Sequence, residues 1–243
     1  MTQTAIHYGK EQINYSVVKV PHRNSKIHIH VHPNGSVQVD APEHASQQTI
    51  KQAVYKRARW IHNNLEKIKE QQQFVQTRQY VSGESHFYLG RRYPLKIQSV
   101  KKQDPEVKLY RGRLHIKTKD RDPAAIRYLL NQWYRQRALQ MFEKRLQVLI
   151  PSVVWLKGQV SPMKLLDMKK QWGSCSPKGT IILNPHLVKA PRECIDYVIC
   201  HELCHLKEHN HSPKYYRLLS QLMPEWELVK GKLDGMAELL LNH

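Results

Sequence analysis

The thirteen residues Cys200–Ser212, CHELCHLKEHNHS, hold four histidines, two glutamates and two cysteines. Within them His201, Glu202 and His205 form the pattern H-E-x-x-H. On an α-helix, residues four apart lie about 40° apart around the axis, so both imidazoles project from one face. They can close on one zinc ion, and the adjacent glutamate can address a metal-bound water. The chemistry of such a set is hydrolysis: Glu202 takes a proton from that water and returns it to the leaving group.

A catalytic zinc keeps three protein ligands and one open position, so a third ligand is needed. His209 and His211 compete for that place. On a straight helix His209 would lie about 12 Å along the axis from His201, too far to share an ion. The chain is therefore expected to bend first, with Asn210 suited to a left-handed helix end. His211 follows the bend and is favoured, with His209 as the alternative. The spacing of His201, His205 and His211 also equals the metzincin pattern H-E-x-x-H-x-x-G-x-x-H, although Glu208 stands where that pattern has glycine. Glu208 reads as a neighbour of the site or a surface residue, since three histidines already complete the set. Cys200 and Cys204, about 100° and 60° from His201 around the helix, read as small buried hydrophobes. Cys175 has no base in its neighbourhood and reads as structural.

These residues need a rigid support. In PRECIDYVICHELCHLKEH, Ile195, Ile199, Leu203 and Leu206 cluster opposite the histidines, and Asp196 and Lys207 point to solvent, which predicts a buried helix. A second helix, SPKYYRLLSQLMP, comes after the break. Upstream, SPMKLLDMKKQW reads as a strand, GSCSPKG as a turn and TIILNP as a second strand. TIIL is a candidate edge strand for pairing with an extended peptide, with a buried interior strand as the competing reading. Residues 123–150 read as a long helix with Pro123 in its first turn and Pro151 at its end. Before it, GESHFYLGRRYPLKIQSV and EVKLYRGRLHIKTK alternate as strands, the second around an Arg-Gly turn. Residues 47–73 carry Ile50, Val54, Ile61, Leu65 and Ile68 at helical spacing and predict one long amphipathic helix. From 13 to 40 the chain alternates around an Asn-Gly turn, as a β-hairpin does. His28, His30 and His32 fall on one face of that hairpin, and a solvated polar face explains them better than a second metal site.

The chain of 243 residues is long enough for one large domain or two smaller ones. Its formal net charge is +19, unevenly spread. Residues 1–150 hold 27 Lys/Arg against 11 Asp/Glu, and residues 151–243 hold 12 against 9. A polyanion partner such as nucleic acid, bound by the basic N-terminal part, is one reading of that excess, and a solubilising surface is the other. No apolar run approaches the ~20 residues of a membrane span, and the N-terminus carries no signal-peptide pattern. Four cysteines without a C-x-x-C pair suit a reducing, cytoplasmic compartment.

The segments QWGSCSPKGTIILNPHL, IDYVICHELCHLKEHNHSPKYY and MPEWE, together with HPNGSVQVDAPEHAS and SGESHFYLGRRYPLKI near the front, resemble the YgjP-like metallopeptidase family, zincins near the SprT-like proteins. The resemblance implies a zincin-like catalytic domain, a zinc ion held by His201, His205 and His211, and Glu202 as base. It also implies a bacterial-type cytosolic protein. Gln171, Pro185, the pair Tyr215-Tyr216 and His209 depart from residues usual in that family; Gln171 and Pro185 bear on the substrate cleft.

The expectation is thus an α+β protein: a basic β-rich module with a long helix over 1–120, then a zincin-like metallopeptidase domain over 121–243 with an H-E-x-x-H active-site helix. Its expected function is a cytosolic zinc metallohydrolase, foremost a peptidase acting on peptide or protein. A zinc hydrolase of nucleotides or other phosphoanhydrides is the rival enzyme. A nucleic-acid-binding protein with a structural metal is the rival from another class, disfavoured because a structural site has no use for Glu202.

Overall fold

The computed structural model describes residues 2–9, 11–20, 27–31, 35–73, 78–100, 104–157, 162–168 and 171–241. The chain divides into two compact units, Met1–Gln76 and Thr77–His243. Among the described residues no helix is long and apolar enough to cross a membrane.

The first unit is a four-stranded sheet with two helices. Strands β1 (Thr2–Tyr8), β2 (Glu11–Val20), β3 (His28–Val31) and β4 (Val37–Pro42) lie in the order β1-β2-β4-β3. β3 and β4 are antiparallel, as a hairpin requires; Pro33 and Asn34 of the expected turn, and His32, lie outside the described residues. β1 has no apolar period to reveal it, because Ile6 is its single fully buried large aliphatic residue. The expected single helix is two, α1 (Gln47–Lys56) and α2 (Ala58–Gln73). At Arg57 the ladder breaks, and its N–H turns to Val54 O three residues back. Ile50 and Val54 before the break and Ala58 and Ile61 after it remain in the core with Ile13, Tyr15 and Val39. The apolar stripe therefore runs on through the interruption and hides it. His28 and His30 are exposed, with His30 Nε2 3.4 Å from Asp40 Oδ2.

The second unit begins with β5 (Ser85–Tyr88), β6 (Arg91–Ser99), β7 (Glu106–Tyr110) and β8 (Arg113–Thr118), in the order β5-β6-β8-β7. Arg111 and Gly112 turn β7 into β8 with φ of 45° and 72°, a left-handed pair that suits a two-residue hairpin. The inner face of this sheet, Leu95, Leu114 and Ile116, shares one core with Ile126, Leu130 and Trp133 of α3 (Pro123–Leu149). Tyr134 O–H donates to Phe87 O across 2.7 Å. These contacts move the boundary from residue 120 to 76/77: the strands of 85–118 find their hydrophobic partner in α3, on the C-terminal side of the expected division.

A small sheet comes next, β9 (Met163–Leu165), β10 (Gly173–Cys175) and β11 (Ile181–Leu183), in the order β10-β11-β9. Residues 173–175, expected in a turn, are a strand, and the turn is confined to 176–180. β11 is the central strand, with Ile181 and Leu183 fully buried, so TIIL is interior and β10 is an edge. The helices α4 (Arg192–His205), α5 (Pro213–Leu222) and α6 (Trp226–Leu241) complete the unit. Asp196 is not turned to solvent. It receives two hydrogen bonds from Arg145 of α3, at 2.7 and 2.9 Å, which tie the two helices together.

Arg145→Met removes this two-pronged pair and leaves a carboxylate only 16% exposed without its cation. A loss of about 1.5–3 kcal/mol is expected in urea unfolding. Adding Asp196→Asn to that variant is expected to recover part of it.

Candidate metal centre

α4 is a helix whose sequence suits its start. Glu193 lies in its first turn, matching the sign of the helix dipole there, and His205 lies in its last. Its middle is packed on almost every side: Cys194, Ile195, Val198, Ile199, Cys200, Leu203 and Cys204 are all buried. A helix so enclosed holds its side chains to one rotamer each, which is what a site needs.

The helix ends at His205, earlier than the bend expected near Asn210. Asn210 is not among the residues with positive φ. The turn closes instead through Lys207 N–H and Glu208 N–H, both directed to Cys204 O. Residues 206–212 then lead to Ser212, whose hydroxyl accepts from Tyr215 N–H and starts α5. This loop returns His211 to the helix. His211 Nε2 lies 3.2 Å from His201 Nε2, and His205 Nε2 lies 3.3 Å from it. Ligand atoms of these three residues all fall within 4.8 Å of one another, and among the described residues they form the sole such group. His209 is exposed and outside it.

The donor set fits a small cation. A tetrahedral ion with nitrogens at about 2.0–2.1 Å spaces them by about 3.3–3.4 Å. His205 Nδ1 is 3.1 Å from Glu208 O. A carbonyl has no proton to give, so Nδ1–H donates and leaves the Nε2 lone pair free for a metal. Glu208 thus serves the site through its backbone oxygen. Burial drives His201 down to about 3, helped by His205 and His211 beside it, and burial also lowers His205. Neutral imidazole is the ligating form. His201 Nδ1 is buried with no hydrogen-bond partner.

Glu202 points away from bulk water, 4% exposed, and burial pushes its carboxyl up to about 8. Its Oε2 has no hydrogen-bond partner. Above it runs β10. A Cβ on Gly173 would sit 2.6 Å from Glu202 Oε1 and 2.9 Å from Val198 Cγ1. Glycine is therefore required at 173 for the strand to pass this close to the carboxylate. The approach is fixed from the far side by Asn184, whose amide donates to Met168 O and Gln171 O at 2.8 and 3.1 Å. Pro185 beside it is buried and Gln171 is exposed.

Tyr215 is the other residue that the motif does not announce. Fully buried, it places its ring 4.6–5.3 Å from the rings of His201, His205 and His211. Its hydroxyl donates to His201 O at 3.1 Å. One aromatic ring thus backs all three imidazoles. Tyr216 stacks between His211 and Trp226. The signal in the sequence is the tyrosine four residues after His211, at the start of an amphipathic helix. The thiols stand apart from this chemistry: burial raises Cys200 and Cys204 to about 12 and also raises Cys175, and all four cysteines are free.

Residues 25–236 match the family described as YgjP-like, metallopeptidase domain, and the chain belongs to that family. Its members carry a metallopeptidase domain, which implies a divalent metal. Among solved structures, the metallopeptidase zymogen abylysin of Pyrococcus abyssi is similar at 24% identity, covering 42% of this chain and 97% of its own, with a TM-score of 0.37. No curated protein matches.

Gly173→Ala is expected to force β10 and the Glu202 carboxylate apart. The cost should be about 1–3 kcal/mol in urea unfolding, the usual range for overpacking. Ser174→Ala on the same strand should change stability by much less.

Proposed function

We propose that the protein is a zinc-dependent metallopeptidase of the cytoplasm, with His201, His205 and His211 as metal ligands and Glu202 as general base. One observation carries this reading: three imidazole nitrogens converge at ligand spacing while the carboxylate beside the first is buried on the same helix. Zinc held there supplies a Lewis acid that polarises a carbonyl and acidifies water.

The chain's own residues have separable tasks. The three imidazoles would hold the cation, with the Tyr215 ring beside them and Glu208 O fixing the plane of His205. A cation nearby favours the ionised carboxylate of Glu202 against the burial that would protonate it. Glu202 can then accept a proton on its free Oε2 and hand it to a departing amine.

Substrate binding is assigned to the edge of the small sheet. Asn184 N–H donates to Trp172 O and Ser176 N–H to Thr180 O. Hydrogen bonding alternates along an antiparallel pair, so Ser174 faces β11 and the backbone groups of Gly173 and Cys175 face outward. An extended peptide pairing there would lie next to the residue that touches Glu202. Recognition by main-chain hydrogen bonds favours unfolded or extended polypeptide over compact substrates. The four free cysteines suit the reducing cytoplasm.

Glu202→Gln should keep its zinc, measured by elemental analysis, and lose peptide hydrolysis by about 10²–10⁴-fold, the usual contribution of a general base. Retained hydrolysis sinks the mechanism. Loss of nucleotide hydrolysis in the same variant, with no peptide cleaved by the parent, would move the protein to the phosphoanhydride class.

His211→Ala should strip most of the zinc, whereas His209→Ala should leave it in place. The opposite pattern overturns the ligand assignment.

A further inference from the structure

The charge excess of the chain has a definite location. Residues 1–76 hold 10 Lys/Arg against 5 Asp/Glu, while residues 77–150 hold 17 against 6. Four of the second group, Lys96, Lys108, Arg113 and Lys117, lie on the outer face of β6, β8 and β7, opposite the face packed on α3. Strand register puts Lys96, His115 and Lys108 in one row across three strands. Arg113 and Tyr110 face each other in the neighbouring row, and Lys117 faces Glu106 in the row on the other side. Glu106, the one acidic residue of these three strands, is 3.5 Å from Lys117 and 3.9 Å from Lys108. Lys96 and Arg113 are exposed, and Tyr110 leaves half of its surface in solvent. Its ring carries the Arg111 guanidinium at 5.1 Å and meets His115 edge-on at 5.9 Å.

Like charges in one cross-strand row lower the stability of a sheet. Strands two apart are separated by about 9–10 Å, about one screening length at ordinary salt, so the repulsion of Lys96 and Lys108 is weakened but not abolished. A fold that needed only a polar outer face could have alternated signs there. We propose that this face docks single-stranded nucleic acid. Phosphates would neutralise the lysine and arginine rows, and Tyr110 would offer a ring to an unstacked base, the combination that sequence-tolerant single-strand binders use. An acidic peptide would meet the cations but has no base for the ring. The proposal is independent of the peptidase reading, since it uses none of the residues of the metal centre.

Fluorescence anisotropy of the full chain with a labelled single-stranded oligonucleotide of about 20 nucleotides tests it. Raising salt from about 50 to 200 mM should weaken binding steeply, with a log–log slope of about −0.7 per phosphate neutralised. Lys96→Glu with Arg113→Glu should lower affinity at least about tenfold and flatten that slope. Tyr110→Ala should lower affinity about 5–100-fold with the slope unchanged. Glu202→Gln should bind as the parent does. Both surface variants should melt as cooperatively as the parent, and should one not, the milder Lys96→Gln, expected to weaken binding and to lower the slope by about one phosphate contact, decides in its place. The proposal fails if the parent shows no salt-dependent binding, or if the surface variants bind as tightly as the parent. It also fails if polyglutamate of equal charge displaces the oligonucleotide, which would make the partner an acidic protein segment.

Discussion

His201 Nε2 stands 3.3 Å from His205 Nε2 and 3.2 Å from His211 Nε2, a crowding that disfavours a proton on His201. Lone pair faces lone pair, and a proton on His201 would set a cation where burial disfavours it. Burial and the neighbouring rings together press His201 towards the neutral form. The cluster is held in place by the structure around it, and a cation between the rings would relieve its mutual repulsion. That constraint calls for support from the surrounding structure. α4 fixes two imidazoles through its own periodicity, but the third comes from a loop, and a loop alone does not hold a side chain to a few tenths of an ångström. Tyr215 supplies what the loop lacks, a buried ring in contact range of all three histidines and a hydroxyl bonded to the helix backbone.

The same support is passed outward through polar contacts that are satisfied one by one. Arg145 holds Asp196 and so sets α3 against α4. Lys189, fully enclosed and with its charged form disfavoured by desolvation, donates to Leu240 O and lies over the Tyr134 ring, linking the turn before α4 to the last helix. Trp155 N–H reaches Leu203 O beside the site from the turn after α3. The Arg145 and Trp155 contacts end on α4, and the Lys189 contacts join the turn before it to α3 and α6. The helix is therefore the element on which the others converge, and its position is fixed by the core of the unit more than by its own helical propensity.

Whatever depends on neighbours along the chain is legible in the sequence. His201, Glu202 and His205 can be read there because helical geometry alone brings them together. Asp122 and Pro123 announce the start of α3, and Arg111-Gly112 announces the β7–β8 turn. Apart from the break at Arg57 and the early end of α4, the misses share a different origin. Three-residue strands such as β10 and β11 have no period to detect, so only their pairing decides which one is the edge. The contact of Gly173 with Glu202 joins residues 29 positions apart, and nothing local marks it. A boundary near 120 fails because alternation tells which face of a strand is apolar without telling which element will cover it. Asp196 looks solvent-directed for the same reason: its partner, Arg145, lies 51 residues away.

The relocation of that boundary also changes how the charge is understood. With β5–β8 counted in the unit that holds the metal centre, the basic residues no longer belong to a separate module in front. One sheet then serves two ends. Its inner side chains, Leu95, Leu114 and Ile116, complete the core that supports α3 and, through Arg145, α4. Its outer side chains alternate with these and take no part in that support, because successive residues of a strand face opposite ways. Substitution on the outer face can therefore tune what the unit binds without moving the histidines, while substitution on the inner face cannot. A sheet arranged in this way lets a rigid hydrolytic site and an adjustable charged surface coexist in one compact unit.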